Sequence, residues 1–493
     1  MALPIRESPS TERPSTSGEG LSYWQLVRRD FLRNRLALAS GIVILFVAVV
    51  AVLCPLLANN RPLYIRAVLP DEYNNALQIL IEQSAGMDSA PSEAERDKSR
   101  SLIIANYRNM RRHLGGGDQA KLDALMSPFI KAGGKMDSGE ISKGLDSFFD
   151  FTLVPVEKYP AFRALTTVEI ALIAALVLFP VIFGLLRRRS LPARLGTLLA
   201  LTLLTTAALR AVYPSIQDAT PYREIIESEE FRKDGRVVRT LVPFGENENI
   251  LVDSRQPPTW SVNVEKRGAN WHWLGTDTNG RDVLARMIYG TRVSMLVSIV
   301  AVAIYTMIGM LLGAVAGYFR GWTDIIISRL TEVVICFPAL MVILSVQAFL
   351  KPSILNIILT MAALWWTGVQ RLQRGEFLRL VNLDYVQAVR ALGGSNLRIM
   401  TMHILPNALG PILVMTSFGI AGAILVESAL SFLGFGVPQP MASWGDLLNN
   451  GRNDINGTWW LTVFPGLAIF LTVTCFNLVG EGFRDALDPQ RER

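Results

Sequence analysis

The sequence predicts an all-α integral membrane protein: a polytopic bundle of about eight transmembrane helices with a helical extracytoplasmic insert. Three observations predict it. Apolar runs of spanning length recur along the chain, arginines gather at their ends, and the composition turns polar over residues 58–160. The hydrophobic fraction of 50% is one that soluble domains also reach, so the uncharged runs carry the argument. A formal charge of +6 could suit nucleic acid, but the arginines flank apolar runs instead of lining a groove, and no nucleic-acid partner is expected. Cys54, Cys336 and Cys475 all fall inside apolar runs and read as buried small residues, not disulfides or metal ligands. His113, His272 and His403 match no metal-ligand spacing, and Lys135 lacks the upstream glycine of a phosphate loop. No enzyme activity and no cofactor are expected of this chain itself.

Residues 1–20, rich in Ser, Pro, Glu and Thr, are expected to be disordered. Tyr23, Trp24, Val27 and Phe31 then form an apolar stripe beside Arg28, Arg29, Arg33 and Arg35, which fits an amphipathic helix on the cytoplasmic membrane surface. The run 36–57 is long enough to span, and no small-residue cleavage site follows, so it reads as an anchor instead of an export signal. Stretches 72–83, 100–114 and 119–131 show helical periodicity, punctuated by Gly115-Gly116-Gly117 and Gly133-Gly134. They predict a small, mostly helical and loosely packed insert over 58–160. Runs 162–186 and 193–212 form an extra transmembrane hairpin (161–213), whose turn carries Arg187, Arg188, Arg189 and Arg194 and belongs in the cytoplasm. A polar extracytoplasmic segment, 214–270, follows.

Further spans are expected near 293–317, 325–350, 354–372, 407–433 and 459–480, with both termini cytoplasmic. Gly309, Gly313 and Gly317 make a ridge for close helix packing. Asp277 can cap a turn, while Arg281 and Arg286 are expected to snorkel along an interfacial helix. Glu332 and Glu427 are intramembrane acids and so functional candidates by default, although Arg329 is placed to pair with Glu332. Phe337-Pro338 predicts a kink.

Residues 376–405 lie between two apolar runs yet carry Arg379, Asp384, Arg390 and Arg398, which places them on the cytoplasmic side. Tyr385, Ala388, Val389 and Leu392 recur at helical spacing and give a short helix one apolar face. Gly393 or Gly394 ends it or admits another backbone. Ser395 or Asn396 can cap a second short helix, and Pro406 marks the start of the next span. Such a helix suits docking into a groove on a soluble partner; the plainer alternative is a surface helix without one.

Gln387-Ala388-Val389, Gly393 and His403-Ile404-Leu405-Pro406 resemble the cytoplasmic coupling loop of ABC importer permeases, with Gln387 replacing the usual acid and His403 the first apolar residue. Trp273 to Asp277, Gly280 to Arg286, Tyr289 to Ser294, Glu427 to Gly436, Ser443 to Gly445, Phe464 to Ile469 and Gly482 to Pro489 resemble the oligopeptide/dipeptide branch. The resemblance covers about 271–493 and the first span, and residues 58–255 depart from the family layout as a large insertion.

It implies a type I permease-like, multi-pass subunit of a peptide importer in the bacterial cytoplasmic (inner) membrane. Its partners would be a second homologous permease, one or two ABC ATPase subunits holding ATP and Mg, an extracytoplasmic peptide-binding protein and the lipid bilayer. It assigns Tyr385, Gln387, Ala388, Val389, Arg390, Leu392, Gly393 and Pro406 to ATPase coupling, and Gly275, Thr276, Asp277, Gly280, Arg281 and Asp282 to an extracytoplasmic motif. The alternative is a stand-alone secondary transporter or channel for small solutes, which would usually show ion-coordinating groups at mid-membrane depth. These spans are nearly free of them.

Overall fold

The computed structural model describes residues 23–86, 93–131, 144–145, 148, 153–187, 189–213, 220, 222–228, 231, 235–261, 270–452 and 457–487. Residues 1–20, Gly133-Gly134, Lys135, Arg188 and Asp488-Pro489 lie outside the described residues. Helix α1 (Tyr23–Arg33) is followed by α2 (Arg35–Leu57), capped by the Asn34 side chain accepting from the Ala37 amide. α1 is held by protein contact: Phe31 stacks on Phe483 of the C-terminal helix, with ring centroids 4.6 Å apart.

The chain then builds a lobe from α3 (Pro70–Gly86), α4 (Glu93–Arg112) and α5 (Gly116–Lys131). Tyr73, Leu77, Leu80, Ile103, Met110 and Phe129 bury one another in a core separate from the spans, so the insert is better packed than its composition suggested. Beneath it, β1 (Tyr64–Ala67) lies between β2 (Val156–Lys158) and β3 (Arg236–Val238), both antiparallel to it. β3 therefore completes a sheet begun before the hairpin, a pairing invisible to any local pattern.

His113 is completely buried in the lobe with neither ring nitrogen hydrogen-bonded, and the nearby Glu72 carboxylate is already held by Lys158. Burial, helped by the Lys158 and Arg112 charges, pushes its pKa down from 6.5 to about 4. As pH falls, the unfolded lobe takes up that proton before the folded one does. Stability from this group should be complete above the unfolded pKa and fall by on the order of 3 kcal/mol on acidification to the folded pKa. Hydrogen exchange of α3 and α4 against pH should show the fall, and His113→Leu should flatten it.

Helices α6 (Thr167–Leu185) and α7 (Leu191–Val212) form the hairpin, with a Thr166/Glu169 capping box starting α6. The core comprises α8 (Val283–Phe319), α9 (Gly321–Ile335), α10 (Ala339–Phe349), α11 (Ile354–Leu380), α12 (Asp384–Ala391), α13 (Asn396–Phe432), α14 (Trp444–Gly451) and α15 (Trp460–Leu487). α8 starts well before its apolar run because Asp282 caps it, accepting from the Ala285 amide. α9 and α10 meet at 73° across Cys336 to Pro338, a break instead of a simple kink, and this leaves Cys336 exposed against expectation.

By length and composition, 6 of the described helices could cross a membrane, or 7 if α9 and α10 count as one span. The eighth expected span is α11. Its 27 residues suffice, but Asn356, Gln370, Arg371 and Gln373 dilute its apolar character. α8 and α11 meet along the glycine ridge. A Cβ at Gly309, Gly313 or Gly317 would lie 2.6 Å from Val369, the Gln370 carbonyl or Phe377 respectively. Gly313→Ala should cost about 1–3 kcal/mol of stability in detergent. Gly375→Ala, whose Cβ would meet nothing within 4 Å, is the control in the same thermal unfolding measurement.

One end of the bundle gathers the C-termini of α8, α11 and α15 with the N-termini of α2 and α13. There Tyr318 donates to Asn396, Arg320 donates to Asn382, and Gly482 abuts Ala37. The other end gathers the lobe, residues 240–261 and 270–282, and α14: Val242 pairs with Leu57 and Asn59, and Trp460 donates to the Thr276 carbonyl.

Candidate functional site

Where α8, α11 and α13 converge, α12 stands out from the bundle. Asp384 in its first turn and Arg390 in its last suit the helix dipole. Val386 anchors it, fully buried among Phe377, Ile399, Ile404 and Ala408, and Val389 packs on the same cluster. Tyr385, Ala388 and Leu392 face outward, so the expected single stripe is split between an anchoring face and an exposed one. Leu392 is 88% exposed, and Leu397 (72%) and Met402 (71%) of the same loop region are also uncovered apolar side chains.

The helix closes with a Schellman turn. The Gly394 amide donates to the Val389 carbonyl, the Gly393 amide to that of Arg390, and Gly393 sits at φ +79°. A Cβ there would meet nothing of this chain within 4 Å, so within the chain the constraint is backbone conformation alone. Gln387 donates its amide to the Val381 carbonyl at the end of α11, 3.1 Å away, a bond that a carboxylate could not make. Arg390 lies over the Tyr318 ring, 5.6 Å from its centroid. The Tyr385 hydroxyl donates to the His403 carbonyl and accepts from Asn407. The second short helix is not separate: it runs through a π-helical turn, Ile399–Ile404, into the span. Pro406 lacks an amide hydrogen for that helix, and the widened turn just before it accommodates the missing bond.

The motif at the opposite end forms a buried polar clasp. Asp277 accepts from the Asn279 and Arg281 amides and pairs with Arg281 Nε at 2.6 Å. Arg286 bonds Asp446 of α14 at 2.7 Å and donates to the Glu246 carbonyl. Both arginines are buried, which corrects the expectation that they snorkel: each is held by carboxylates inside the protein, because an unpaired buried charge is costly. Burial raises the Glu246 carboxyl pKa, opposed by the Arg286 charge. Asp282 accepts the α8 cap bond with one oxygen and faces His272 Nδ1 at 2.8 Å with the other; Asp253 lies 3.4 Å from His272 Nε2. Thr276 donates to the Asp253 carbonyl and accepts from the Gln256 amide. Gly275 (φ +80°) and Gly280 (φ +73°) make the turns on which these residues sit. Among the described residues no group of His, Cys, Asp and Glu is arranged to hold a metal ion.

The two intramembrane acids differ. Glu332 is exposed and paired with Arg329 at 2.6 Å. Glu427 is completely buried on α13 and receives the Ser294 hydroxyl at 2.9 Å and the Ser431 hydroxyl at 2.8 Å, joining α8 to α13. Sequence reading missed Ser294 and Asp446 as partners. Ser431, one turn from Glu427, was a legible signal; Ser294 and Asp446, more than a hundred residues from the groups they bond, were not.

Residues 309–493 match the family described as binding-protein-dependent transport system inner membrane component, and residues 22–78 match the N-terminal TM domain of oligopeptide transport permease C. The chain is 41% identical over 219 residues to a glutathione transport system permease protein of Pectobacterium atrosepticum, covering 44% of this chain and 73% of that protein. It is 41% identical over 223 residues to a dipeptide transport system permease protein of Bacillus subtilis, covering 45% and 70%. To an oligopeptide transport system permease protein of Haemophilus influenzae it is 40% identical over 220 residues, covering 45% and 71%.

Proposed function

Because the chain belongs to the family of binding-protein-dependent transport system inner membrane components, we propose that it is one permease subunit of an ATP-binding-cassette importer for short peptides. The observation that carries the coupling role is α12: a helix anchored by Val386 that presents Tyr385, Ala388 and Leu392 outward. In this reading α12 docks in a groove on a cytoplasmic ATPase subunit, which holds ATP and Mg, and a second homologous permease completes the pathway. An extracytoplasmic peptide-binding protein delivers substrate at the clasp end, and the membrane is the bacterial cytoplasmic one. Closure of the ATPases would displace α12. Val386, the Gln387 bond and the π turn tie α12 to α8, α11 and α13, so those spans would move with it between two states.

The lobe emerges at the delivery end and is assigned contact with the binding protein or the partner permease. Deleting residues 70–153 behind a short bridge leaves β1 to pair with β2 and β3 and should weaken uptake without abolishing assembly. Unchanged uptake kinetics would make the lobe a passive insertion. The function itself is tested by reconstituting the four kinds of component in proteoliposomes and following labelled peptides. Uptake should require ATP and the ATPase subunits; uptake by this chain alone on an ion gradient would establish the secondary-transporter alternative.

A further inference from the structure

The α6–α7 hairpin carries a feature that peptide transport does not use. Between Glu169 and Asp218 the sequence holds no acidic residue but five arginines, at 187, 188, 189, 194 and 210. Arg194 is committed to the turn itself: its guanidinium donates to the Arg187 and Arg189 carbonyls and lies 5.9 Å from the Phe183 ring centroid. That fixes the backbone and leaves the Arg187 and Arg189 side chains exposed. Among the described residues neither guanidinium pairs with a carboxylate. The two line an open recess with Gly184, Leu185 and Leu186, so cationic and apolar groups meet there.

Depth identifies what reaches this recess. The 19 residues of α6 rise about 28 Å, close to the thickness of the hydrocarbon core. The far end is tethered to α8 by Arg292 and Glu169, 2.6 Å apart. Bulky residues stay exposed along both helices, among them Val177, Phe179, Leu199 and Leu203, a face suited to lipid, and a helix of this length sets the turn at headgroup level. We infer that Arg187 and Arg189 form a binding site for the phosphate of an anionic phospholipid, with Leu185 and Leu186 against the first acyl carbons. A guanidinium fork matches a phosphate with two bonds, and an anionic headgroup, unlike a zwitterionic one, brings no cation of its own into the recess.

The test uses the full chain, purified from mixed phosphatidylglycerol and phosphatidylcholine bilayers and read by native mass spectrometry for retained lipid. It reads lipid alone, so it stands whatever the substrate proves to be. The wild type should retain phosphatidylglycerol in preference to phosphatidylcholine. Arg187→Gln/Arg189→Gln should lower that preference about twenty-five-fold, since each basic side chain at an anionic surface is worth roughly a fivefold preference. Thermal stability in pure phosphatidylcholine should stay unchanged. Equal phosphatidylglycerol retention by the double variant overturns the site, and displacement of the lipid by inorganic phosphate overturns its assignment to a headgroup.

Discussion

Ala388→Arg is expected to abolish most ATP-dependent peptide uptake while leaving the spans folded. Ala388 is exposed on α12 beside Tyr385 and Leu392, so the new side chain meets nothing within this chain and exacts its cost at the partner. A charge forced into an apolar groove without a counter-charge costs about 2–5 kcal/mol of association, which is roughly a thirtyfold loss or more. Arg390→Glu should do less, because it removes a stacking contact on Tyr318 and a rim charge, and its defect should deepen at low salt. Gly393 separates two causes. Gly393→Ala carries only the backbone penalty of a positive φ, about 1–2 kcal/mol, whereas Gly393→Trp adds a large side chain where this chain itself leaves open space. Any loss with Trp beyond that with Ala therefore measures how closely the partner approaches. Transport and ATPase rates should be compared side by side for each variant, with co-purification reporting assembly. Normal assembly, hydrolysis and uptake for both Ala388→Arg and Gly393→Trp would remove α12 as the coupling element.

Arg286→Met is expected to be the most destabilising single change at the opposite end. It leaves the Asp446 carboxylate buried with no cation and thins the charge around Asp277. Removing one member of a buried pair costs about 3–5 kcal/mol, because the partner has lost its hydration and gained nothing in return. Arg286→Met/Asp446→Leu should recover much of that loss, since neither charge then remains to be solvated. Thermal unfolding of the purified protein distinguishes the cases. If the single variant unfolds like the wild type, the clasp does not hold α14 to α8.

What could be read from the sequence was whatever rests on local pattern. The runs 36–57, 193–212 and 459–480 begin within one or two residues of the N-termini of α2, α7 and α15, because hydrophobic length by itself forces a spanning helix. The same locality made the Gly309/Gly313/Gly317 ridge and the turn at Gly393 legible, since spacing sets the first and a helix end calls for the second. The tertiary structure decided the rest, wherever a residue's partner lies far along the chain. It buried Arg281 and Arg286, which periodicity alone would leave at a membrane interface, by bringing Asp277 and Asp446 to them. It placed Glu427 against Ser294 and turned Val389 inward while Ala388 faced out. It also drew β3 from beyond the hairpin to pair with β1. A sequence pattern reports which side chains avoid water; which charge meets which follows only once the helices have packed, because in a low-dielectric interior the partner within a few ångströms sets the energy.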